Sequence, residues 1–177
     1  MPKPVGRDDE PIILYVDPHH ATGVLGNVII SYSIAEPNMA YLENWIAGAQ
    51  KLAVANELIA CMTVIDSDAK PPSDAIRLEI KKTFASFGEK ITGVAQVVEG
   101  KGFVAAAKRA AVSMIMLLAR VPFPISCFGE VTEAAIWLCG QMQGANPQRL
   151  DARTITSAAE VVRRAQIAGR ATSTQSQ

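Results

Sequence analysis

Histidine and cysteine are scarce in this chain, and neither sign of charge is in surplus. The two histidines, His19 and His20, are neighbours in one segment beside Asp17. No histidine is left on another element to act as base, and no serine or cysteine sits in a G-x-S-x-G elbow, so a nucleophilic triad is not indicated. Adjacent side chains rarely converge on one ion, and no further ligand spacing accompanies the pair. His19 and His20 therefore read as a solvated turn rather than a metal site. The three cysteines, Cys61, Cys127 and Cys139, are odd in number, far apart and set in apolar segments. They read as reduced core residues of a cytoplasmic protein. Lys plus Arg and Asp plus Glu each count 17, a formal net charge of zero. The basic surplus that neutralises a phosphate backbone is missing, and no nucleic-acid partner is expected. The longest nearly uncharged apolar run, residues 110–119, falls short of the ~20 residues that a membrane-crossing helix needs. No apolar stretch follows the basic residues at the start, so no signal peptide is expected.

What is present is alternation. With 177 residues the chain is long enough for one domain with a proper core. Residues 1–10, with two prolines, a glycine and five charges, suit a flexible leader. The stretches 12–16 and 27–33 are rich in β-formers and are separated by 17–26, too short for a crossover helix, which predicts an antiparallel hairpin with a long loop. Glu36-Pro37 then offers a helix opening, and Met39, Leu42, Trp45, Ile46, Ala49, Leu52 and Ala53 fall on one stripe. The run 58–65 is apolar except for Thr63, as in a strand covered on both faces. A loop, 66–72, precedes a helix opened by Ser73 and Asp74 and stopped by Gly88. A third β-rich stretch, 91–98, leads through Glu99-Gly100-Lys101-Gly102 into a long helix from about Phe103 to Arg120, ended by Val121-Pro122-Phe123-Pro124. A short strand, 125–128, and a helix marked by Val131, Ala134, Ala135 and Leu138 follow. The reading is an α/β fold with a mostly parallel mixed sheet, an N-terminal antiparallel hairpin, the order β-β-α-β-α-β-α-β-α and a C-terminal helix. The core domain spans 11–144 and a helical extension 145–170, with Ile155, Ala158, Ala159 and Val162 opposite Arg163 and Arg164. A polar tail, 171–177, is expected to be disordered.

Three features invite a functional reading. Gly100-x-Gly102-x-x-Ala105 lies between a strand and a helix, as a dinucleotide-binding turn does, with Glu130 available as a ribose acid. Only one short strand follows it, however, and the alternative is a glycine turn feeding a helix. The turn Gly100, Lys101, Gly102, joined by Lys108, Arg109 and, across a neighbouring helix, Lys81 and Lys82, is a candidate anion-binding patch; a solvated helix face is the alternative. Val112, Met114, Ile115, Met116, Leu117 and Leu118 are apolar nearly all round the helix, which points to an interaction face for a partner subunit, a lipid or the C-terminal helix, or to plain burial.

The order of elements, and the segment Pro122-Phe123-Pro124-Ile125-Ser126-Cys127-Phe128 followed by Glu130 to Leu138, resembles the STAS domain family, and within it the SpoIIAA-like, STAS/Sec14-like bacterial proteins. The resemblance covers residues 12–143 and implies a non-catalytic regulatory or signalling module that binds a protein partner, with self-association through the long helix. It implies no enzymatic activity and no cofactor. It also points to Ser67 as a regulatory phosphosite, because the family carries a phosphorylatable serine in an Asp-Ser-Ser-Gly turn. Here Asp66 and Ser67 match, but Asp68 replaces the second serine, no glycine follows, and Pro71-Pro72 moves the helix start to Ser73. An ordinary polar turn is the alternative. Two further readings stand beside the first, a lipid or other apolar-ligand carrier and a nucleotide-binding protein using the Gly100–Ala105 turn.

Overall fold

The computed structural model describes residues 10–119, 121–143 and 150–174, with only the backbone described for 114–119 and 174. Six strands make one sheet, namely β1 (Ile12–Val16), β2 (His20–Leu25), β3 (Val28–Ser33), β4 (Ile59–Ile65), β5 (Ile91–Val98) and β6 (Ile125–Phe128). The helices are α1 (Met39–Ala55), α2 (Asp74–Phe87), α3 (Gly102–Ala119), α4 (Val131–Gln141) and α5 (Ala152–Thr174). The strands lie side by side in chain order. β1, β2 and β3 pair antiparallel, and β3 to β6 pair parallel. The fold is thus α/β, with an antiparallel N-terminal part, a parallel remainder and a C-terminal helix.

One strand more is present than the sequence reading contains. Residues 17–26, expected to be a loop, hold β2, so residues 12–16 and 28–33 each pair with β2 instead of with one another. Two tight turns make this work. The Asp17 carboxylate accepts hydrogen bonds from the backbone N–H groups of His19 and His20, both at 2.6 Å, which folds Asp17–His20 back on itself. Gly26, at φ 58, closes the other turn, and Leu25 pairs directly with Val28.

The sheet separates two apolar layers. On one face Ile29, Cys61, Ile91 and Val94 meet Trp45, Ala49 and Leu52 of α1 and Phe87 of α2. Trp45, Phe84, Phe87 and Phe123 pack edge to face there, with ring centroids 5.5 to 6.4 Å apart. Helix α1 opens at Asn38, whose side chain accepts from Tyr41 N at 2.8 Å, two residues past the start expected at Glu36. On the other face Val28, Ile30, Met62, Val64, Ala95 and Val97 meet Val131, Ala135 and Leu138 of α4 and Ile155, Ala158 and Val162 of α5. Helix α5 is therefore half of a core layer and not an appendage. It also continues to Thr174, so 171–174, expected to be disordered, are helical. The helix as a whole is held by packing against β1, β2 and β3.

Candidate functional site

The carboxyl ends of β3, β4, β5 and β6 line one edge of the sheet, where connecting loops gather. Asp66 N donates to Ser33 O and Glu99 N to Ile65 O, both across that edge. The loop after β4 carries Ser67 and the loop after β5 carries Gly100, and the two touch. A Cβ added to Gly100, which sits at φ 109, would lie 3.0 Å from Ser67 Cβ. Glycine at 100 is thus required both by its backbone angle and by the approach of the Ser67 turn. Gly102, at φ 83, turns the chain into α3.

Two cations of α3 reach back over this junction. Lys108 Nζ donates to the Ser67 carbonyl. Arg109 Nη1 donates to Val98 O at 3.1 Å and to Gly100 O at 3.2 Å. Neither Lys108 nor Arg109 has a carboxylate within ion-pair distance among the described residues. Ser67 and the Gly100–Gly102 turn, separate features of the sequence, are one place in the fold, and Lys108 and Arg109 belong to it. Lys82 does not join them, because it pairs with Glu79 of its own helix at 3.3 Å. Lys101 and Lys81 are exposed. On the same edge, Glu99 turns to the α5 face and pairs with Arg163, whose guanidinium carbon lies 4.8 Å over the Tyr32 ring.

Beside the junction α3 shows bare apolar surface. Phe103 is 88% exposed and Val104 68%, while Ala105 between that surface and the sheet is buried. Of the interaction face expected further along, Val112 is half-buried, and the side chains of Met114, Ile115, Met116, Leu117 and Leu118 lie outside the described residues.

The histidine pair is not a solvated turn. His19 is exposed, but His20 is 1% exposed on β2. Its Nδ1 lies 3.0 and 3.1 Å from the two Asp17 oxygens, its Nε2 lies 3.2 Å from Glu36 O, and its ring stacks on Tyr41 with centroids 4.5 Å apart. Both nitrogens face acceptors. Burial works against ionisation of Asp17, but hydrogen bonds from the Tyr15 hydroxyl, at 2.7 Å, the His19 backbone and the His20 ring outweigh it and hold the carboxyl below its ordinary value. This corner ties the β1–β2 turn to the β3–α1 loop. Among the described residues, no group of three or more His, Cys, Asp or Glu is placed to hold a metal, and no helix is long and apolar enough to cross a membrane.

The chain matches no family model, no curated protein and no solved structure. Its chemistry must therefore be read from its own side chains. One arrangement escaped the sequence reading. The register aligns Thr22, Ser31, Thr63, Gln96 and Cys127 in a single row across β2 to β6. They share the face that carries Ile29, Cys61 and Val94, one step nearer the carboxyl edge. The signal was visible as Thr63 breaking an apolar run and as Gln96 within Val94-Ala95-Gln96-Val97, but only pairing register shows that the two are neighbours.

Proposed function

We propose that the chain is a STAS-like, SpoIIAA-like regulatory module that acts by binding a protein partner and has no catalytic step of its own. The observation that carries this reading is the exposed Phe103–Val104 surface beside the joined Ser67 and Gly100 turns. A bare aromatic flanked by backbone turns and cations suits the centre of a protein contact. The order of elements adds support through the resemblance on residues 12–143.

Ser67 is the regulatory position in this proposal. It is half-exposed, and its carbonyl holds Lys108. A phosphate there would bring a charge of about −1.5 to −2 within reach of that lysine and between Asp66 and Asp68. It would draw Lys108 off the carbonyl and change the surface next to Phe103. Chain purified from its native host should carry a phosphate-mass increment that Ser67→Ala lacks; absence of any increment under all growth conditions would remove Ser67 from the proposal. The binding claim is tested by co-purification of wild type against Phe103→Asp/Val104→Asp. A protein enriched by the wild type and lost with the variant is the expected result, and identical recoveries would overturn it. Light scattering of the same two proteins reads self-association through α3.

A further inference from the structure

The row of polar side chains across the sheet lies where an α/β protein normally has a covered apolar layer. Its neighbours one step toward the amino ends, Val24, Ile29, Cys61, Val94 and Ile125, are all apolar. Thr22 and Ser31 are fully buried; the Thr22 hydroxyl has no hydrogen-bond partner among the described residues, and the Ser31 hydroxyl lies by that of Tyr41. Thr63, Gln96 and Cys127 stay half-exposed, although β4 and β5 are interior strands of the sheet. Helix α3 packs on β6 and β5, where the Ser113 side chain meets the Cys127 thiol, and Thr63 and Gln96 keep part of their surface accessible. Among the described residues neither the Thr63 hydroxyl nor the Gln96 amide is engaged by protein, so a hydroxyl and a complete carboxamide are left unused.

Arg109 stands at the end of this floor. Its guanidinium is next to Gly129, just past β6, where a Cβ would lie 3.5 Å from Nη1, and its charge acts on the Cys127 thiol. Nη1 is bound to the Val98 and Gly100 carbonyls, which fixes the group and leaves Nε and Nη2 for a planar anion. Of the neighbouring carboxylates, Glu99 pairs with Arg163 across the sheet, Asp66 accepts from Asp68 N, and Glu130, which follows Gly129, is exposed and forms no ion pair with Arg109. No carboxylate lies in the row itself, so an ammonium group would find no counter-charge there.

We propose that Thr63, Gln96 and Cys127, with Arg109 at their end, form a binding site for a small carboxylic acid that bears a hydroxyl or an amide and no amine. The carboxylate pairs with the free edge of Arg109, and the uncharged polar group bonds to Gln96 and Thr63. Two strand spacings separate Thr63 from Cys127, roughly 10 Å, which sets the length of the ligand as that of a short acid and excludes a dinucleotide. The site is distinct from the Phe103–Val104 surface, so the two proposals stand or fall separately.

The test is titration of 15N-labelled protein with lactate, 3-hydroxybutyrate, succinamate and their methyl esters, reading the Gln96 side-chain amide and the Arg109 Nε–H. At least one acid should shift both signals saturably, with its ester about tenfold weaker or more, the loss expected when a charge-assisted pair is removed. Gln96→Leu should weaken the same acid by a similar factor without altering the Phe103-dependent partner binding. Arg109→Lys, which keeps the charge but not the planar fork, serves as a second variant and should also weaken it. If no acid moves Gln96, if acid and ester bind alike, or if only Arg109 responds, the site is overturned.

Discussion

At the scale of single residues the tightest chemistry is the Asp17–His20 corner, and its behaviour with pH follows from the direction of the Asp17 shift. A carboxyl held below its ordinary value adds stability that is complete above the unfolded value, about pH 4, and is lost as pH falls through the lower folded value. Asp17→Asn should destabilise the protein at neutral pH by about 1–3 kcal/mol, the cost of leaving buried donors poorly matched. Denaturant titrations should show the gap between wild type and variant narrowing below about pH 4; a gap independent of pH would mean that the carboxylate charge is not what the corner uses. The cysteines give a second prediction. Burial pushes Cys61 up to about 12, and it also raises Cys127 and Cys139, which are only half-buried. Thiolate is the reactive form, so alkylation of native protein near neutral pH should map slowly to Cys127 and Cys139, and to Cys61 only after unfolding.

At the scale of elements, what could be read from the sequence depended on which force makes each element. The helices and the strands 59–65, 91–98 and 125–128 announce themselves through local pattern, because one face or both faces are apolar over several residues. Strand β2 does not. Its residues His20, Thr22 and Gly23 are poor strand signals, and each is there for a tertiary reason. His20 is held by Asp17 and Glu36, and Gly23 gives α5 room, since a Cβ at that position would lie 2.9 Å from Val162 Cγ2 and 3.2 Å from Ile12 O. Gly23→Ala is therefore expected to cost about 1–3 kcal/mol by overpacking, in spite of the better β propensity of alanine. Thermal melts would decide this, and a stabilised variant would show that α5 can shift away freely. The same limit applied to function. Ser67, Gly100 and Arg109 were each visible in the sequence, but their meeting depends on the parallel register of β4 and β5, which no local pattern encodes.

At the scale of the whole molecule, the sheet has helices on both sides, and the two sides are completed at different points in the chain. One face is covered by α1 and α2, which lie between the strands, but the face over β1, β2 and β3 has α5 as its cover. A chain ending at residue 150 would expose Ala21, Val28, Ile30 and the partners of Ile155 and Val162 to water, so it should lack a cooperative unfolding transition and bind a hydrophobic dye. A truncated chain that melts as sharply as the full one would show that α5 is dispensable. The strand order carries a further consequence for biosynthesis. Because each strand joins its immediate predecessor, the sheet can grow as it leaves the ribosome, with few long loops to close. Helix α5 must then return to the first strands, so until it emerges the nascent chain carries an assembled sheet with one oily flank still bare. Its period of greatest exposure to chaperones and to aggregation falls just before residues 152–174 emerge.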